Sequence, residues 1–316
     1  MVTLSDVAKE ANVSKMTVSR AINHPEQVTP ELLALVEKAM AKLDYHPNSI
    51  ARALVNNRTN VIKFVTLEDI DTTEPYYMNL LFGVSRGLKA DSYAIQLVTD
   101  IDQIQKGNAD GYIITGAREY NYPIFNELKK PFIFFGETSS NFDFVDTDNR
   151  YGTSVATKYA LERGYQDAVF IGIDVKEGFE YAREYGYLAS MQERNLEPKI
   201  FRTGNHSHLA EKLIDEQIEN IKPNTCFICA SDRLAIGVCR ALSRLNKKLP
   251  EDYGVIGFDG VFLDQVSNPQ LTTVKQQIFK MGDMLAQLIL EKIKQSGSAQ
   301  GQTYVKPELV VRGTTK

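Results

Sequence analysis

Hydrophobic positions along the chain follow two rhythms, and the change comes near residue 60. Before it, apolar residues recur at helical spacing. Leu4, Val7, Ala8 and Ala11 make one stripe, Val18 and Ile22 a second, and Leu32, Leu35, Val36, Ala39, Met40 and Leu43 a third. Each stripe has a start signal. Thr3-Leu4-Ser5-Asp6 has the form of a capping box, with the acid three residues after the hydroxyl. Ser14 is placed to cap a helix over 15–23. Thr29-Pro30-Glu31 offers a cap, a proline at the first helical position and an acid in the first turn. Between the first two stripes stands Asn12, a residue type that tolerates the left-handed backbone of a sharp turn. The pattern predicts three short helices in a domain over 1–47, then a linker over 48–60.

After residue 61, short β-branched and aromatic runs alternate with amphipathic stretches. Strands are expected at 61–65, 94–98, 112–115, 132–135, 168–172, 225–229 and 255–258, and helices at 77–89, 152–163, 179–194, 234–245 and 281–294. Alternation of this kind implies an α/β body of parallel sheets covered by helices on both faces. A span of 61–316 is long enough for two such lobes. No repeat or low-complexity segment interrupts it.

Composition narrows the class without choosing it. With 43% hydrophobic and 24% charged residues the chain can bury a sizeable core. A net charge of −4 argues against coating nucleic acid over the whole surface, although a local cationic patch remains compatible. Residues 1–60 carry seven Lys/Arg against six Asp/Glu, so any DNA contact there must rest on a few placed cations: Lys15, Arg20, Arg52 and Arg58. The first residues carry acids and no apolar core of a secretion signal, and no stretch approaches the ~20 apolar residues of a membrane span. A cytoplasmic protein without a membrane partner is the expectation. Cys226, Cys229 and Cys239 are too few for a disulfide framework, and the first two lie in an apolar run that reads as a buried strand. Inert core thiols are expected, and no metal or cofactor. His206 and His208 are expected to be a solvated loop pair.

Two short helices across a tight turn, braced by a third, match a helix-turn-helix, with the second helix reading the groove. On pattern alone, a small bundle with a solvated charged face fits as well. Resemblance separates the two. Residues 3–23, TLSDVAKEANVSKMTVSRAIN, resemble the DNA-binding head of the LacI/GalR repressors, including the VS-x-x-TVSR core at 13–20. The similarity runs on through Val28-Thr29-Pro30 and Leu43-Asp44-Tyr45-His46-Pro47-Asn48 to Ala51-Arg52-Ala53-Leu54, departing at Asn12, where glycine is commoner. It implies DNA contacts from Thr3, Ser14, Lys15, Met16, Thr17, Ser19, Arg20 and Asn23. It further implies a hinge helix, including Asn48, Ala51 and Arg52, that inserts Leu54 into the minor groove as a wedge.

The body is similar to the type I periplasmic sugar-binding fold that this family shares. Arg183-Glu184-Tyr185-Gly186-Tyr187 matches its R-x-x-G-Y/F element and Gly257-Phe258-Asp259 its G-F/Y-D strand end. Ala230-Ser231-Asp232 stands where A-N-D is usual, and Leu271–Gln276 matches the L-T-T-V/I segment. The implied effector contacts are Tyr76, Tyr77, Glu137, Arg183, Ser231, Asp232, Asp259 and Gln276. Arg183 supplies a donor fork, Asp259 and Glu137 acceptors, and the tyrosines an aromatic face for a sugar. Two departures stand out: Lys63 replaces a usual glycine, and the dozen residues between Val98 and Asp110 leave little room for a usual helix.

These expectations describe a repressor that binds a pseudo-palindromic operator as a homodimer and answers to a small sugar or sugar derivative. A sugar-transport component is opposed by the head. An enzyme is opposed by the lack of a phosphate loop, a nucleophile elbow or zinc spacing. A catabolite regulator with a phosphorylated carrier protein as corepressor is a variant on which the residues are silent.

Overall fold

The computed structural model describes residues 2–45, 58–68 and 75–316, except the side chain of Glu26. The proposed contacts Asn48, Ala51, Arg52 and Leu54 lie outside the described residues. The chain divides into two compact units, Met1–Asn60 with Asn108–Asp110, and Val61–Gly107 with Gly111–Lys316.

The first unit contains α1 (Leu4–Glu10), α2 (Lys15–Asn23) and α3 (Pro30–Lys42). The Asp6 carboxylate accepts from the Thr3 N–H at 2.8 Å and the Thr3 hydroxyl at 2.7 Å, and these bonds hold its pKa below the usual value. Ser14 Oγ accepts from the Thr17 N–H at 3.0 Å, and Thr29 Oγ1 receives the Leu32 N–H. Asn12 takes φ 53°, the left-handed conformation that turns α1 into α2. Val7, Ala8, Val18, Ala21, Val36 and Ala39 are the buried centre. One expectation fails. Leu35 is 52% exposed, because it lies about 100° round α3 from Val36, and Leu33 packs inward instead.

The second unit holds two six-stranded sheets. The first runs β2 (Ala94–Val98), β1 (Val61–Thr66), β3 (Gly111–Thr115), β4 (Phe132–Phe135), β5 (Phe144–Thr147), β11 (Gln302–Val305), all parallel. The second repeats that order with β7 (Lys199–Thr203), β6 (Asp167–Ile173), β8 (Thr225–Cys229), β9 (Tyr253–Asp259), β10 (Thr272–Lys275) and an antiparallel β12 (Glu308–Val310). The covering helices are α4 (Tyr76–Leu88), short α5 (Tyr122–Asn126), α6 (Asn149–Glu162), α7 (Gly178–Glu193), α8 (Ser207–Gln217), α9 (Asp232–Arg244), short α10 (Leu263–Val266) and α11 (Ile278–Lys294). Each sheet has its own apolar core. The chain crosses between lobes at β5–α6, β10–α11 and β11–β12.

In both sheets the strand order reverses beside the first strand, and an open α/β sheet binds ligands at the carboxyl ends of strands around that point. Those ends are Glu68 and Thr115–Arg118 in one lobe, Ile173–Glu177 and Ala230–Ser231 in the other.

Lys63 explains the shortened β2–β3 connection. The segment contains a single 3-10 turn, Ile101–Gln103. The fully buried Lys63 Nζ donates to the carbonyls of Gln103 at 3.3 Å, Ile104 at 2.9 Å and Lys106 at 2.5 Å. The ammonium thus does for three carbonyls what helical N–H groups would otherwise do. Burial lowers its pKa.

Candidate functional site

On the head, Lys15, Met16 and Arg20 of α2 are exposed, Met16 to 70%, while Val18 and Ala21 point into the core. Thr3 and Ser14 are exposed as well, but their hydroxyls are engaged in capping, Thr3 with Asp6 and Ser14 with the Thr17 N–H and hydroxyl. Thr17, Ser19 and Asn23 are half-buried, with the Asn23 amide donating to Ser19 Oγ at 3.2 Å. The face therefore offers two cations and a flexible apolar side chain. Cations and methionine of this kind suit guanine edges or phosphates and a thymine methyl.

In the second unit, a cleft of about 340 Å³ opens where the strand ends of both sheets meet. Tyr76, Tyr77, Glu137, Arg183, Ser231, Asp259 and Gln276 all line it. Arg183 projects from α7 and is 6% exposed. Its Nε donates to Asn149 Oδ1 at 2.9 Å and its Nη1 to the Ala230 carbonyl at 2.5 Å. Its Cζ lies 3.8 Å from the Phe258 ring centre, and its Nη2 is 3.9 Å from Asp259. Asp259 ends β9 at φ 117°, a backbone conformation that turns the strand end aside.

Gln276 joins the lobes. Its amide donates to Asp259 Oδ1 at 2.7 Å, while its oxygen accepts from Thr147 Oγ1 at 2.6 Å. A second bridge crosses the cleft where Arg118, after β3, pairs with Glu177, before α7, at 2.7 Å. Burial raises the Glu177 pKa, and Arg118 pulls it back.

Asp232 departs from expectation. It does not line the cleft. Its carboxylate is buried behind the β9 end, accepting from Thr273 Oγ1 at 2.5 Å and the Gly260 N–H at 2.8 Å. A Cβ at Gly257 would come within 2.3 Å of Asp232 Oδ1, so the glycine makes room for it. Desolvation, with Asp259 nearby, raises its pKa. Asp232 braces the loop that carries Asp259.

Several lining residues were not anticipated. Glu68 accepts from the Tyr77 hydroxyl and from Thr115 Oγ1 at 3.0 Å. Asp146 accepts from the Glu137 N–H at 2.9 Å and the Thr147 N–H at 2.6 Å. Burial still pushes it up to about 6. Asn149, Phe179, Asn205 and Arg233 also contribute. A signal for Asp146 was present: it is the polar residue in the apolar run Phe144-Val145-Asp146, directly before a crossover.

Other groups stay outside this chemistry. Cys226 and Cys229 are buried in β8, and burial raises both thiols. The exposed His206 and His208 rings stack with centroids 5.5 Å apart. No group of three His, Cys, Asp or Glu among the described residues is placed to hold a metal. No described helix is long and apolar enough to cross a membrane.

A capped three-helix head whose second helix presents cations, on a chain with a two-sheet ligand-binding core, defines a DNA-binding regulator with a small-molecule receptor domain. Residues 3–48 match the model for bacterial regulatory proteins of the lacI family, and residues 157–315 match a periplasmic binding protein-like domain. An uncharacterized HTH-type transcriptional regulator, YvdE, of Bacillus subtilis strain 168 is 49% identical over all of both chains. The ribose operon repressor of Halalkalibacterium halodurans is 28% identical, covering 100% of this chain and 98% of its own. The lac repressor dimer bound to operator and the anti-inducer ONPF superposes with TM-score 0.77 at 21% identity, over 99% of each chain. A CelR–cellobiose complex gives TM-score 0.73 at 23% identity, over 99% of this chain and 100% of that one. The chain belongs to the lacI family of bacterial regulatory proteins and is a DNA-binding transcriptional repressor of that type.

Proposed function

We propose that this repressor binds its operator as a homodimer and that a saccharide or saccharide derivative in the cleft sets its affinity for DNA. One observation carries the reading. Arg183, Asp259 and Gln276 form a fixed donor–acceptor set beside the rings of Tyr76, Tyr77 and Phe179, and the same Gln276 bonds both lobes. Adjacent hydroxyls suit the polar set, and the C–H face of a pyranose suits the rings. A ligand that alters the Gln276 bridge changes the relation of the lobes, and linkage then requires a change in DNA affinity.

Two heads on a two-fold axis would read a pseudo-palindrome, using Lys15, Met16, Thr17, Ser19 and Arg20 in the major groove and Leu54 as the minor-groove wedge. The setting is the cytoplasm, and the genes are those of carbohydrate use. That a ribose operon repressor and a cellobiose-bound regulator are similar to this chain supports the saccharide class. Binding without turnover is the proposed role of the cleft, since Glu68, Asp146, Glu177 and Asp259 each hold a neighbouring protein group in place.

The test is a gel shift with the DNA upstream of the repressor's own gene and a scrambled control, with and without mono- and disaccharides, beside an assay for sugar consumption. Preference for the upstream fragment, altered by one sugar that is not consumed, is the expected result. Equal binding to both duplexes in all conditions would refute the reading.

A further inference from the structure

Resting on the saccharide reading of the cleft, we propose that the effector is uncharged, and that the cleft rejects the phosphate esters and uronic acids of the sugars it accepts. Five carboxylates line the cleft, Glu68, Glu137, Asp146, Glu177 and Asp259, against three guanidinium groups, Arg118, Arg183 and Arg233. No lysine or histidine is among the described lining residues. The excess is acidic.

Two of these three cations have named partners within the protein. Arg118 is paired with Glu177 at 2.7 Å. Arg183 spends its Nε on Asn149 and its Nη1 on the Ala230 carbonyl, and its Nη2 faces Asp259 at 3.9 Å. A phosphate at Arg118 would have to break its pair with Glu177, and one at Arg183 Nη2 would sit beside the Asp259 carboxylate, so either place sets a carboxylate next to its own negative charge.

Helix N-termini are the other usual seat for an anion. Of the helices whose first residues meet the cleft, α6, α7 and α9 each carry their own oxygen cap or acid, whereas α4, beginning at Tyr76, carries neither. Asp148 accepts from the Tyr151 N–H at 2.9 Å at the start of α6. Glu177 stands at the N-cap of α7 with Glu180 in its first turn. Ser231 accepts from the Leu234 N–H at 3.2 Å, and Asp232 follows it, at the start of α9. A ligand phosphate would meet acids or filled donors at all three. Carboxylates and amide oxygens instead receive hydroxyl donors, which a neutral sugar has in quantity.

The experiment is calorimetry on the full-length protein with a panel of neutral mono- and disaccharides, each beside its phosphate ester and, for hexoses, its uronic acid. The expected result is binding of at least one neutral sugar, with its charged derivatives weaker by about tenfold or more. Equal or tighter binding of an ester would overturn the charge inference and leave the saccharide reading standing. Binding of no member, neutral or charged, would overturn the saccharide reading itself. Glu177→Gln releases Arg118 and should narrow the neutral-to-ester gap several-fold. An unchanged gap, with the neutral sugar still bound, would count against the ion pair as the filter.

Discussion

Arg183 is held from several sides before any ligand arrives: by Asn149, by the Ala230 carbonyl and by the Phe258 ring. Preorganisation of this kind removes the entropy that a free arginine would lose on binding. Arg183→Ala should therefore abolish the sugar's effect on DNA binding while leaving operator affinity without sugar within about threefold. A gel-shift titration checks it, with a melting curve to exclude unfolding, and a normal response would remove Arg183 from the site. Glu180 makes a second residue-scale case. It is 1% exposed, Oε1 accepts from the Ile173 N–H at 2.9 Å and Oε2 has no hydrogen-bond partner among the described residues. Desolvation pushes it up to about 7 despite the nearby Arg183. A carboxyl raised above its unfolded value stabilises the fold when protonated, and that contribution is lost as pH rises from about 4.5 to about 7. Glu180→Gln should thus raise the melting temperature at pH 8 and change it little at pH 4.5. An equal shift at both pH values would show that ionisation is not the cause. The sequence signalled Arg183, Asp259 and Gln276 through motif positions, yet it misplaced Asp232. Position in a motif does not reveal which side of a strand end a carboxylate takes, and that is decided here by the space over Gly257.

The elements of the head were readable because their signals are local: cap, turn residue, periodic stripe. Ser14→Ala removes the acceptor for the Thr17 N–H and should cost about 1 kcal/mol, measured by denaturation of the full chain. In the body, strands with unbroken apolar runs were readable to within a residue or two. The strands β5, β7 and β10 to β12 were not, because each is short and carries polar or charged positions that only the sheet and its crossovers explain. The loss of a helix between β2 and β3 was visible from spacing alone, whereas the compensating role of Lys63 was not. Lys63→Met keeps the length of the side chain and strands three carbonyls, so it should destabilise by roughly 3 kcal/mol. An unchanged denaturation midpoint would mean that the loop satisfies those groups by other means.

At the scale of the whole molecule, two sheets of the same strand order meet at a cleft crossed by Gln276 and by the Arg118–Glu177 pair. Family membership came from long ordered motifs, but the pairing of polar groups across the lobes arises from residues far apart in the chain, Thr147 with Gln276 and Arg118 with Glu177. No local pattern encodes it. If a wedge at residue 54 bends the operator, Leu54→Ala should weaken binding to the cognate duplex and spare random DNA, and circular-permutation mobility would show a smaller bend. Equal losses on both duplexes would contradict that role.

The most direct test of the account is operator affinity at fixed salt, by fluorescence anisotropy on a duplex selected by the protein from a random pool, with and without the neutral sugar that binds best in calorimetry. Coupling between cleft and DNA predicts that the sugar shifts this affinity by between about fivefold and a hundredfold in the native protein and not at all in Arg183→Ala. An affinity unmoved by a sugar that demonstrably occupies the cleft would contradict it.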